Sequence, residues 1–134
     1  MLNKVILVEA DTRFARQLER YFISKSAKVA ESTPADLVQF ATKFEPDLII
    51  LAAEFASSEL CSALHRLPHK PAILLTEHMA NYKQAWRAWQ MGGHELLMKP
   101  VLKAQEVSDA ICSAIQNSLL DDNEGDVLPV AQAI

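Results

Sequence analysis

The sequence predicts an α/β fold: one five-stranded parallel sheet, doubly wound, with helices on both faces. Two observations carry this. Short apolar runs alternate five times with stretches of helical periodicity within about the first 118 residues. The clearest runs, KVILV at Lys4–Val8, DLIIL at Asp47–Leu51 and AILLT at Ala72–Thr76, are continuously apolar. Strands covered on both faces read that way. Such alternation gives parallel strands joined by right-handed crossovers.

The elements follow in order. Lys4–Val8 is the first strand. Thr12 to about Ser24 carries Phe14, Leu18, Tyr21 and Phe22 at helical spacing. Lys28–Ala30 is a short second strand. Thr33 followed by Pro34 reads as a capped helix start, and that helix runs to about Lys43 with Leu37, Val38 and Ala41 inward. Asp47–Leu51 is the third strand. Ser57 or Ser58 caps a helix that ends near Leu67, before Pro68. Ala72–Thr76 is the fourth strand. Met79–Met91 is a helix stopped by Gly92 and Gly93. Glu95–Met98 is the fifth strand, and Lys103 to about Leu119 is the last helix. This gives one domain over residues 1–118.

Composition excludes several classes. The chain has 134 residues and a formal charge of −4, with 17 acidic and 13 basic residues. Four of the acids are Asp121, Asp122, Glu124 and Asp126, beyond the last basic residue, Lys103. The body is therefore balanced, and residues 119–134 read as an acidic linker or tail. Neither part suits nucleic acid. No apolar run has the ~20 residues of a membrane span, and no secretory leader opens the chain. The two cysteines, Cys61 and Cys112, are too few for a disulfide scaffold and suit a reducing cytoplasm. Three glycines cannot build a phosphate-cradling loop, and no G-x-S-x-G or other nucleophile–base spacing occurs. The chain does not read as an enzyme.

In a sheet of this type, chemistry gathers at the carboxyl ends of the strands. Those ends hold Glu9, Ala10 and Asp11, then Ala52 to Glu54, then Thr76, Glu77 and His78, then Lys99 and Pro100. The segments VILVEAD, PDLIIL, AILLT and MGGHELLMKP, in this order, resemble the receiver domain of two-component response regulators. The resemblance implies a flavodoxin-like (βα)5 fold. It also implies a site in which two acids after the first strand hold Mg²⁺ and an aspartate ending the third strand accepts phosphate. A Thr and a Lys ending the fourth and fifth strands bind the phosphoryl oxygens.

Carried onto this chain, the Thr and Lys are Thr76 and Lys99. The acid pair becomes Glu9 and Ala10, with Asp11 following, and the acceptor becomes Ala52. A methyl group is no nucleophile, and losing two of three carboxylates leaves little for Mg²⁺. The expectation is a degenerate pseudo-receiver that binds no Mg²⁺ and signals without phosphate. Glu54, two residues past Ala52, leans into the vacant site if the strand continues. Glu77, where the family has a small residue, repels a phosphodonor. Lys99 then pairs with Glu9 or Glu54, or stands partly solvated. The stretch between Ala52 and Thr76 is short for the family, so the loop over the site is remodelled.

Two competing functions remain open at this stage. One is phosphorylation of a substitute carboxylate, Glu54 or Asp47. The other is a small-molecule site in the vacated pocket. Cys61, His65 and His69 have a zinc-like spacing, but Pro68 interrupts their helix and no fourth ligand is evident. Tyr82, Trp86 and Trp89 form a stripe on the fourth helix. At that spacing aromatics ordinarily face the core. The resemblance instead makes the fourth helix, fifth strand and fifth helix a surface for a protein partner, an output domain or a second copy. On that reading an exposed Trp is an anchor. The family's aromatic switch position is Leu96 here, so that coupling is lost.

Overall fold

The computed structural model describes residues 2–122. Its strands are β1 (Lys4–Val8), β2 (Lys28–Glu31), β3 (Leu48–Ala52), β4 (Ala72–His78) and β5 (Glu95–Lys99). Its helices are α1 (Thr12–Ser24), α2 (Leu37–Phe44), α3 (Ser58–His65), α4 (Tyr82–Gln90) and α5 (Ala104–Asp122). The strands pair in the order β2-β1-β3-β4-β5, all parallel. The fold is the expected flavodoxin-like one.

Alternation along the strands builds two cores. Val5, Leu7, Leu48, Ile50, Leu74 and Leu97 pack under α1 and α5. Ile6, Val8, Ile49, Leu51, Ile73 and Leu75 pack under α2, α3 and α4. Both sides of β1, β3 and β4 are buried, which is why these runs lack polar alternation.

Several boundaries depart from the sequence reading. The helix expected at Pro34 starts at Leu37, because residues 34–36 form a turn. The Thr33 hydroxyl accepts from Asp36 N–H, and the first helical bond runs from Phe40 N–H to Asp36 O. β4 continues to His78, since Glu77 and His78 keep register with Met98 and Lys99. A 3₁₀ turn, Met79–Asn81, then delays α4 to Tyr82. Gly92 adopts a φ of 136° after α4, and Gly93 leaves no room for a Cβ against Leu75. α5 runs to Asp122, so the expected tail begins as helix, and residues 123–134 lie outside the described residues.

Asp47 ties the strands at the end opposite the site. Its Oδ2 accepts from Asn3 N–H at 2.8 Å and Lys4 N–H at 3.0 Å, and its Oδ1 faces His69 Nε2 at 3.3 Å. Partial burial raises the Asp47 pKa, but the two amides and His69 outweigh it and hold the carboxyl below its ordinary value. A depressed folded-state pKa adds stability above the unfolded value, and this is lost as pH falls through the folded one. Asp47→Asn should therefore cost about 1 kcal/mol at neutral pH. The gap between the two proteins should close below about pH 4, in urea unfolding.

Candidate functional site

Four strand ends converge on one face of the sheet. Glu9, Ala52, Thr76 and Lys99 continue the parity of Leu7, Ile50, Leu74 and Leu97, so all stand on the α1/α5 side. Register places Ala52 beside Thr76. The sequence alone set these residues at the correct edge, and strand alternation brings them together.

Glu9 is the hub. Its side chain is 1% exposed, and its two oxygens accept from three groups. The Thr76 hydroxyl donates to Oε1 at 2.7 Å. Lys99 Nζ donates to Oε2 at 3.3 Å, and Asp11 N–H to the same oxygen at 3.0 Å. The Lys99 ammonium also lies 3.9 Å from Asp11 Oδ2 and 5.1 Å from the Phe14 ring centroid. Of the two partners considered for Lys99, Glu9 is the one in contact. Asp11 caps α1, accepting Phe14 N–H at 3.1 Å.

Ala10 is exposed at the bend before α1 and brings no ligand atom. Ala52 presents a buried methyl where the resemblance puts the phosphoacceptor. The donor set left for Mg²⁺ is Glu9, whose oxygens are both engaged, and Asp11, engaged as a cap. That set does not fit the ion. Lys99 supplies the positive charge at this edge.

Two expectations about neighbouring acids are corrected. Glu54 does not lean into the site, because β3 gives way to a 3₁₀ turn, Ala53–Phe55. It is exposed on the α4 side, beside Gln84 and Arg87. Glu77 does not stand in the site either. It follows the parity of Ile73 and Leu75 toward α4, where its carboxylate accepts from His78 N–H, Asn81 Nδ2 and Gln84 Nε2 at 2.9, 3.3 and 2.7 Å. His78 and Pro100 line a shallow cavity of about 180 Å³ with Asp11, Phe14 and Lys99. That is below the roughly 300 Å³ of a typical ligand pocket.

Two of the three aromatics in the stripe are not core. Ala85 and Ala88 face the sheet, while Tyr82 and Trp86 are 62% and 56% exposed. Trp89 is partly buried against the α4-side core. The alanines let α4 approach closely, and the large rings fall on its flank. Leu96 pairs with Leu75 and borders the same flank.

Comparison with known proteins gives structural likeness. No protein-family model and no curated protein matches the chain. The signal receiver domain of a modulated diguanylate cyclase from Desulfovibrio desulfuricans G20 matches with TM-score 0.71 at 20% identity, over 90% of this chain and 99% of that one. NtrX from Brucella abortus matches with TM-score 0.76 at 14% identity, over 94% of this chain and 29% of that one. A member of a family of redox sensors in the streptococci, described as evolved from two-component response regulators, matches with TM-score 0.72 at 17% identity. It is covered to 55%, and this chain to 91%. The fold is that of a response-regulator receiver domain. Among the described residues, no helix of this receiver fold is long and apolar enough to cross a membrane.

Cys61, His65 and His69 do not converge. Cys61 is buried, and that burial pushes its thiol pKa up. His65 Nε2 bonds Gly92 O, and His69 faces Asp47. The sequence reading does not mark His94, which is buried just before β5. Its Nδ1 accepts Ile73 N–H at 2.8 Å, and its Nε2 lies 2.7 Å from Asp121 Oδ2. His65, His94 and Asp121 cluster, but with Nδ1 accepting, the neutral ring carries its proton on Nε2 and offers a metal no lone pair there. A lone His after two glycines gives no periodic signal that could have marked it.

Glu9→Gln leaves the Lys99 ammonium, only 13% exposed, with Asp11 alone. The expected loss is about 3 kcal/mol in urea unfolding, and Lys99→Met added to Glu9→Gln should recover part of it. A loss below about 0.5 kcal/mol would place the pair with solvated surface ion pairs.

Proposed function

We propose that this chain is a receiver domain that regulates by protein contact and takes no phosphate. The observation that carries this is Ala52, a methyl group at the end of β3 beside Thr76. Phosphoryl transfer to a side chain needs a nucleophile at that point and a cation to spread the charge. Ala52 removes the first. The engagement of Glu9 by Lys99, Thr76 and Asp11 N–H weighs against the second.

The positions of the two substitute acceptors considered support this reading. Glu54 lies on the α4 side, and Asp47 sits at the opposite end of β3, bound to Asn3 and Lys4. The input is then a binding event that favours one of two conformations through differential affinity. The output is a partner protein or an attached domain, met at the exposed Tyr82 and Trp86 of α4. The streptococcal neighbour, described as a redox sensor, is a precedent for this fold in another kind of sensing.

Incubated with Mg²⁺ and acetyl phosphate, the chain should keep its intact mass. With beryllofluoride, the amide resonances of Thr76 and Lys99 should stay in place. A phosphoryl adduct in that pocket overturns the reading. Trp86→Ala should change stability by less than about 0.5 kcal/mol while abolishing partner capture. Trp89→Ala should cost about 2 kcal/mol, because its ring packs on the core. Retained capture by Trp86→Ala removes α4 as the contact surface.

A further inference from the structure

The flank of α4 and the edge strand β5 enclose an open apolar groove of about 590 Å³. Tyr82, Trp86, Leu96 and Met98 line it, with Lys83 and Arg87 among them and, among the described residues, no acid. Exposed apolar surface gathered in one groove marks a candidate docking face. We propose that residues 127–134 of this same chain occupy the groove and occlude it until a partner displaces them. The inference rests on reading this face as the docking surface.

Three observations select that occupant. The first is position. α5 runs to Asp122, and the Asp121 carboxylate is held 2.7 Å from His94, two residues before Leu96 of the groove. The chain leaves α5 beside the end of β5 from which the groove begins. The second is reach. The linking residues Asn123 to Asp126 span up to about 14 Å, and the eight residues beyond them up to about 27 Å. The five residues of β5 cover only about 17 Å. The third is chemistry. Val127, Leu128, Val130 and Ile134 are apolar, and the residues leading to them include Glu124 and Asp126 with no base. An apolar segment led by acids complements an apolar groove that carries Lys83 and Arg87.

Self-occlusion has a direct consequence. A partner binds only the uncovered fraction, so its apparent affinity is reduced by that fraction. Covalent attachment gives the segment a high local concentration, so weak contacts suffice.

The test uses residues 1–134 with Trp89→Phe, which leaves Trp86 as the only tryptophan of that sequence. Acrylamide quenching of Trp86 is measured with and without Leu128→Asp and Val130→Asp, with circular dichroism as the folding control. The proposal expects quenching to rise severalfold in the tail variant and the fold to be unchanged. Lys83→Glu with Arg87→Glu, which acts from the groove side, should raise it as well. Equal quenching in all three proteins overturns the proposal. So does protection that disappears on dilution, which would assign the groove to a second copy. Either failure leaves the partner-surface reading standing, since that reading falls only if Trp86→Ala keeps partner capture.

Discussion

The carboxylate of Glu9 is the point on which the carboxyl edge of the sheet depends. It is almost wholly removed from water and is held by one ammonium, one hydroxyl and one amide. An anion buried this way costs several kcal/mol unless its lone pairs are filled and its charge is balanced. Lys99 balances it from β5, Thr76 fills a lone pair from β4, and Asp11 N–H fills another from the entry to α1. Three elements are thereby fastened to the end of β1. Here the balance is closed by side chains that are always present.

On the proposed reading, a closed site changes where a signal can enter. A change of state needs a ligand with different affinities for two conformations. With the acceptor replaced by a methyl and Lys99 already paired, the strand ends offer a ligand little differential contact. The exposed rings of α4 offer more. They are held out by Ala85 and Ala88, whose small side chains seat the helix close against β4 and leave Tyr82 and Trp86 on the flank.

The sequence made the sheet legible because each central strand is buried on both faces and so carries an unbroken apolar run. It made Glu9, Ala52, Thr76 and Lys99 legible because strand ends in a doubly wound sheet are fixed once the strands are placed. It failed where one residue of backbone geometry decides direction. Extending β3 puts Glu54 at the site, whereas a 3₁₀ turn sends it toward α4. Glu77 was assigned there by adjacency to Thr76, but neighbours on a strand point to opposite faces. The stripe on α4 was ambiguous because helical spacing says which residues share a face but not which face is inside. Alanines at 85 and 88 held that answer, and hydrophobicity weights them below tryptophan. The His94 cluster is assembled from α3, β4, β5 and α5, and no local pattern encodes such a meeting.

The adjacency of Thr76 and Glu77 joins the two halves of this structure. One peptide step separates a hydroxyl bonded to Glu9 from a carboxylate bonded to the start of α4. Thr76 faces the closed site, and Glu77 reaches Asn81 and Gln84 across the 3₁₀ turn. Any rotation of that step that moved Thr76 would also pull on the Glu77 bonds to Asn81 in the 3₁₀ turn and to Gln84 in α4. Both side chains are buried, so each broken bond leaves a polar group without water to replace it. In a switching receiver such a linkage would carry a change at the strand ends outward to α4. With the strand ends balanced, the same linkage resists motion from within. If the domain regulates through α4 as proposed, an occupant of that face must bind strongly enough to offset those bonds before the strand ends respond.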